Sequence, residues 1–168
     1  MFVSQSRSDY YDTPLLHEGF VQANELGNNW PDKSKIELVV VSPLLRTLQT
    51  CVNIFDTSVV PTIAHDSLLE YPFGGNEYCN LRKERSILER NFPHIMFDIP
   101  EFPEWNIERS TPRDLEKRIE NFLEFLQGRS ETHIAVVSHS SYLSYFLYDN
   151  IDYNNELHHC KPYIYQLD

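Results

Sequence analysis

The sequence predicts an α/β sandwich on a mostly parallel sheet, and two strand-to-helix junctions carry that prediction. Leu38-Val39-Val40-Val41 is a short apolar run rich in β-branched residues; it stops at Ser42-Pro43, and a helical pattern begins at once. Ile134-Ala135-Val136-Val137 is a second such run, ending at Ser138-His139 and opening into another helical pattern. Between them, Leu115, Ile119, Phe122, Leu123 and Leu126 recur at helical spacing, as a helix laid on a sheet requires. Residues 37–41 and 133–138 are therefore expected as parallel neighbours of one sheet. In such sheets ligands collect where strand C-termini meet helix N-termini, which puts Arg46 and His139 on one expected crevice.

The other elements follow in order. A first helix is expected over residues 14–26, stopping near Gly27. The strand at 37–41 feeds a helix over 43–55, with Ser42 as N-cap and Pro43 in the first position, where its missing N–H costs nothing. Arg46 then lies one turn in, and free backbone N–H groups beside a guanidinium make a seat for phosphate. An extended piece near 61–64 precedes Glu70. Residues 71–109, broken by Pro72, Gly74, Gly75, Pro93, Pro100 and Pro103, read as a long inserted excursion with a short helix around 81–89. Excursions of this length in a compact domain serve as substrate-binding or lid segments. Thr111-Pro112-Arg113-Asp114 supplies an N-cap, a first-turn proline and an acidic third position, and Gly128 ends the helix that follows. A helix over 140–148 succeeds the second strand, and residues 162–167 alternate in strand fashion, with Ile164 and Tyr165 on opposite faces.

A length of 168 residues suits a single domain over 1–168, able to bury roughly 70% of its unfolded surface. The 41% hydrophobic and 13% aromatic content excludes a disordered chain. A formal net charge of -11 argues against nucleic acid or an anionic membrane as partner. It leaves a phosphate site open, because screening confines surface repulsion to about 8–10 Å while donors inside a cleft act at contact distance. Cys51, Cys79 and Cys160 are odd in number and in no CxxC spacing, with no signal peptide or membrane-spanning run in the sequence, so a reduced, cytoplasmic protein is expected. Cys51 belongs to a core position, and Cys79 lacks a context that would lower its pKa. His158-His159 diverge as adjacent residues must, with no third ligand at a supporting spacing, so neither metal nor cofactor is expected.

These segments resemble the histidine phosphatase superfamily, which includes phosphoglycerate mutase-like enzymes. Ser42-Pro43-Leu44-Leu45-Arg46-Thr47-Leu48-Gln49-Thr50 matches that family's Ser-Pro-x-x-Arg-(Ala/Thr)-x-Gln-Thr motif, and Val137-Ser138-His139 its second-histidine motif. Leu68-Leu69-Glu70 falls where the family carries its acidic residue. Asp12-Thr13-Pro14-Leu15-Leu16-His17-Glu18-Gly19 is similar to its Asp-x-Pro-Leu-Thr-x-x-Gly opening. Cys79-Asn80-Leu81-Arg82, Asn91-Phe92-Pro93 and Asn155-Glu156-Leu157 resemble one phosphoglycerate mutase-like branch. The resemblance covers roughly residues 10 to 168. It implies a three-layer α/β/α sandwich and phosphoryl chemistry on a phosphate monoester, borne by a small molecule or a phosphoprotein. In that chemistry a histidine attacks phosphorus in line, arginines and a second histidine neutralise the equatorial oxygens, and an acid protonates the leaving oxygen. The resemblance assigns phosphate binding to Arg46 and His139, and catalytic roles to His139 and Glu70. For Glu70 to give a proton, burial or substrate charge must raise its pKa.

One departure matters more than any match. The family's first strand ends in Arg-His-Gly or Arg-His-Ala, and that histidine takes the phosphoryl group. Residues 1–9 contain no histidine and no strand pattern, so the first strand is missing from this reading and the sheet is expected to show a gap or an exposed edge. Arg7 would have to fold back from a terminus to enter the pocket. His17 falls in the first turn of a surface helix, where a solvated residue is the better account. Two functions then stand side by side: a shortened chain of a catalytic phosphatase or phosphomutase, impaired as written, or a non-catalytic phospholigand-binding or protein-interaction module.

Overall fold

The computed structural model describes residues 11–71, 78–103, 111–151 and 157–167. Arg7, Pro72, Gly74, Gly75, Asn155 and Glu156 lie outside them. Four strands, β1 (Leu38–Val41), β2 (Thr62–His65), β3 (Met96–Asp98) and β4 (Ile134–Val137), form one sheet in the order β3-β2-β1-β4. Every pairing is parallel. β1 is buried along its whole length, which is why it reads as an unbroken apolar run rather than an alternation.

Helices cover both faces. Val39, Val41, Ala64, Phe97 and Ala135 pack with Ala23 of α1 (His17–Asn29), Leu48 and Cys51 of α2 (Leu45–Ile54) and Leu88 of α3 (Arg85–Asn91). Leu38, Val40 and Ile63 point the other way, onto Leu115 and Phe122 of α4 (Pro112–Gln127) and Tyr142 of α5 (Ser140–Tyr148). The result is the expected three-layer α/β/α sandwich. β1 and β4 bond directly, so no gap separates them. Among the described residues β4 has no neighbour on its other side, and of its four residues Ala135 alone is buried.

Several boundaries differ from the sequence expectation, each for a physical reason. α2 starts at Leu45, not Pro43, and Leu44 holds the N-cap position without a side-chain cap. The cap comes from far away: the buried Asp12 accepts a hydrogen bond from Leu45 N–H at 2.7 Å, and its other oxygen accepts from Lys83 N–H at 3.2 Å. Arg46 is thus the second helical residue rather than one turn in. Gly27 does not stop α1 but lies buried inside it. A Cβ there would sit 2.9 Å from Asn53 O and 3.1 Å from Ile54 Cα, so the glycine lets α1 and α2 approach closely.

The 71–109 excursion is partly framework. It contributes α3, set later than the expected 81–89 helix, and the edge strand β3. Ile95, Phe97 and Ile99 are buried in the core. Thr111 caps α4 as expected, its hydroxyl accepting from Asp114 N–H at 3.2 Å, with Pro112 in the first turn. Residues 162–167 form no strand; Ile164 is 91% exposed, so the alternation there has no sheet to join.

Candidate functional site

β1, β2 and β4 are in register at their C-terminal ends, where Val41 pairs with Ala64 on one side and Val137 on the other. The chain leaving each strand therefore emerges at one level. Ser42 follows β1; the 3-10 turn Asp66–Leu68 and then Glu70 follow β2; Ser138 and His139 follow β4.

His139 is buried at the N-cap position of α5, and its Nε2 lies 2.8 Å from Ser42 Oγ. Arg46 donates from Nη1 to Cys79 O and from Nη2 to Asn80 Oδ1, both at 2.8 Å, so the short turn Tyr78–Asn80 aims its guanidinium. Glu70 Oε1 accepts from Tyr71 N–H at 2.8 Å and from Tyr142 N–H at 3.3 Å. The Arg46 charge acts on both Glu70 and His139, so the three expected residues form one electrostatic cluster. The helix start itself is less open than expected, because Asp12 already takes the Leu45 amide.

Burial raises the Glu70 carboxyl above its usual range, against the pull of the Tyr71 amide, Arg46, the Tyr142 amide and Arg118. Burial, then repulsion from Arg46 and Arg118, holds the His139 imidazole well below 6.5. His139 is therefore neutral in the free protein near pH 7. A depressed folded pKa adds stability that is present above the unfolded value and lost as pH falls through the folded one. Wild-type stability should decline more steeply than that of His139→Gln as pH drops from 6.5 to about 5. Glu70 works in the opposite sense, and half-buried His65 in the same sense, but both remain in the variant and largely cancel in the comparison. Urea midpoints against pH measure the two slopes; a constant offset reflects the lost Ser42 contact, and equal slopes would refute a buried neutral His139.

Arg118 also belongs to this cluster and was not singled out from the sequence. Its side chain is 11% exposed, and its charge acts on Glu70 and His139. Paired with Asp114 at i,i+4 it reads as an ordinary surface ion pair. The missed signal is its position on the apolar stripe of α4, between Leu115 and Phe122.

The remaining candidates sit apart or inert. His17 is an exposed first residue of α1, and His158 and His159 are exposed. No group of three or more His, Cys, Asp or Glu side chains gathers for a metal among the described residues. Cys51 is buried, and burial pushes its thiol up to about 12. No helix of the described residues is long and apolar enough to cross a membrane.

A family model described as histidine phosphatase superfamily (branch 1) matches residues 4–160. Phosphoglycerate mutase-like protein 1 of Arabidopsis thaliana is 32% identical over 174 residues, covering 83% of this chain and 61% of that protein. A phosphoglycerate mutase-like protein of the same plant is 32% identical over 171 residues, covering 82% and 63%. Phosphoglycerate mutase-like protein 2 is 28% identical over 193 residues, covering 80% and 56%. The chain spans about three fifths of the length of the curated relatives it matches.

Proposed function

The chain belongs to the histidine phosphatase superfamily (branch 1), and from that membership we propose that its crevice binds a phosphate monoester for phosphoryl transfer or hydrolysis. The observation that carries this reading is the convergence of Arg46, Glu70 and His139 behind three parallel strand ends. Arg46 offers a fixed fork of donors to the phosphate oxygens. A bound dianion offsets the repulsion from the two arginines and raises the proton affinity of His139, which then donates to a phosphoryl oxygen. Glu70, with its carboxyl held protonated more readily than usual, gives the proton to the leaving oxygen. A small phosphorylated molecule or a phosphoprotein supplies the ester.

The second reading is a phospholigand-binding or interaction module that uses the same residues without a phosphoryl-accepting histidine. Both readings share the anion pocket, so the first test is binding. Isothermal titration of the 168-residue chain with vanadate and with inorganic phosphate should show saturable binding. Arg46→Ala and His139→Ala should each weaken it by about tenfold or more, the worth of a charge-assisted hydrogen bond. A wild type that binds neither anion, or variants that bind as well as the wild type, would overturn the reading.

A further inference from the structure

The three carbonyls ahead of Glu70 are all held in place. Arg118 Nη1 donates to Ser67 O at 3.2 Å and to Leu69 O at 2.6 Å. Ser138 Oγ, on the residue before His139, donates to Leu68 O at 2.8 Å. Arg118 is fixed from behind by Asp114, 2.9 Å from its Nε, in the Thr111-capped first turn of α4. Its guanidinium carbon lies over the Tyr142 ring, 5.6 Å from the centroid, and Tyr142 N–H is one of the donors to Glu70. Arg118 therefore grips the backbone on one side of Glu70 and the residue that bonds its carboxylate on the other.

Resting on the phosphate-site reading above, we propose that Arg118 is the positioning residue of this crevice: it fixes the turn that carries Glu70 and keeps a permanent positive charge beside Glu70 and His139. A residue serving only as packing on that stripe would be apolar, since burying a guanidinium is costly. The cost is visible: Arg118 Nη2 is buried and makes no hydrogen bond among the described residues. The charge also has work in the site. Arg46 from α2 and Arg118 from α4 are the cations that draw the Glu70 carboxyl down against burial and hold the His139 imidazole low. Arg46 and Arg118 both oppose a positive charge on His139, and an arriving phosphate dianion offsets that repulsion.

The test is an NMR titration of the apo chain with labelled glutamate and histidine, in wild type, Arg118→Met and Arg118→Lys, followed by vanadate titration of each. In Arg118→Met the Glu70 and His139 midpoints should both move up, and vanadate affinity should fall by about tenfold or more. In Arg118→Lys the midpoints should stay near wild type while affinity still falls by about tenfold, because a point ammonium does not replace the fork that spans two carbonyls and Asp114. Should the methionine variant fail to fold, Arg118→Gln carries the same readout. Neutral variants that melt at lower temperature yet leave both midpoints unmoved would make Arg118 a strut and overturn the proposal. A wild type that fails to bind vanadate, while Arg118→Met still shifts both midpoints, would overturn the phosphate-site reading and leave the placement of Arg118 standing.

Discussion

Arg82→Ala is expected to remove about 3–5 kcal/mol of stability, the usual cost of stripping one partner from a buried ion pair. That is a large share of the roughly 5–15 kcal/mol a domain has in total. The Arg82 side chain is fully buried and meets Asp66 through two bonds, Nε to Oδ1 at 2.8 Å and Nη2 to Oδ2 at 3.1 Å. The same guanidinium donates to Lys83 O at 2.9 Å and Pro100 O at 2.7 Å, and Tyr11 Oη donates to Arg82 O at 2.6 Å. One side chain thus joins the turn after β2 to two stretches of the 78–103 segment. Its removal strands a carboxylate and two carbonyls beside a cavity. Lys35 and Asp32 make an equally short contact, 2.7 Å, but their side chains are 62% and 60% exposed, so Lys35→Ala should change little. Urea unfolding of both variants measures the contrast. A loss within about 1 kcal/mol for Arg82→Ala would mean that the segment is held by something other than this hub.

The second large effect concerns turnover. On the proposed reading, the 168-residue polypeptide offers electrostatic stabilisation of direct attack by water but no histidine to take the phosphoryl group. In serine proteases, loss of the attacking residue leaves roughly 10³–10⁴-fold catalysis over water. By that comparison this polypeptide should hydrolyse an aryl phosphate slowly. Joining to its N-terminus a strand that ends in Arg-His-Gly should raise the rate by about a thousandfold or more. Among the described residues nothing pairs with the far side of β4, where such a strand could bond. The gain should appear with acid-labile protein-bound phosphate and vanish in Arg46→Ala or His139→Ala. Robust turnover through a phosphoenzyme in the unextended chain would instead point to another nucleophile, with His17 the first to replace.

The parts of this fold that the sequence shows are those whose causes are local. β1 and β4 are legible because apolar, β-branched runs are what a doubly covered parallel sheet demands, and α4 because its cap, proline and apolar stripe lie within its own residues. The start of α2 was misplaced because its cap, Asp12, lies 33 residues away. β3 was missed because an edge strand of three residues, with Phe97 alone buried between Met96 and Asp98, leaves no period to count. The alternation at 162–167 misled for the converse reason: a pattern is only an offer of pairing, and no described strand accepts it. In the crevice, Arg46 and His139 are legible because a recognisable strand runs into the helix that carries each, and Glu70 because of the family resemblance. Arg118 is not, because its distinction is burial, which an i,i+4 partner conceals.

The bond between His139 and Ser42 closes a loop of 97 residues, and the central strand β1 gains its β4 neighbour only across the same span. During synthesis β1, β2, α1 and α2 emerge long before β4, leaving one side of the most apolar strand uncovered while most of the chain is still to be made. Long-range parallel pairing of this kind is intrinsically slow, because the loop must close before any contact repays it. The crevice is thus completed at the same moment as the sheet. A nascent or partly folded chain carries the arginine without its histidine; on the proposed reading, anion binding is expected only of chains that have closed this pairing.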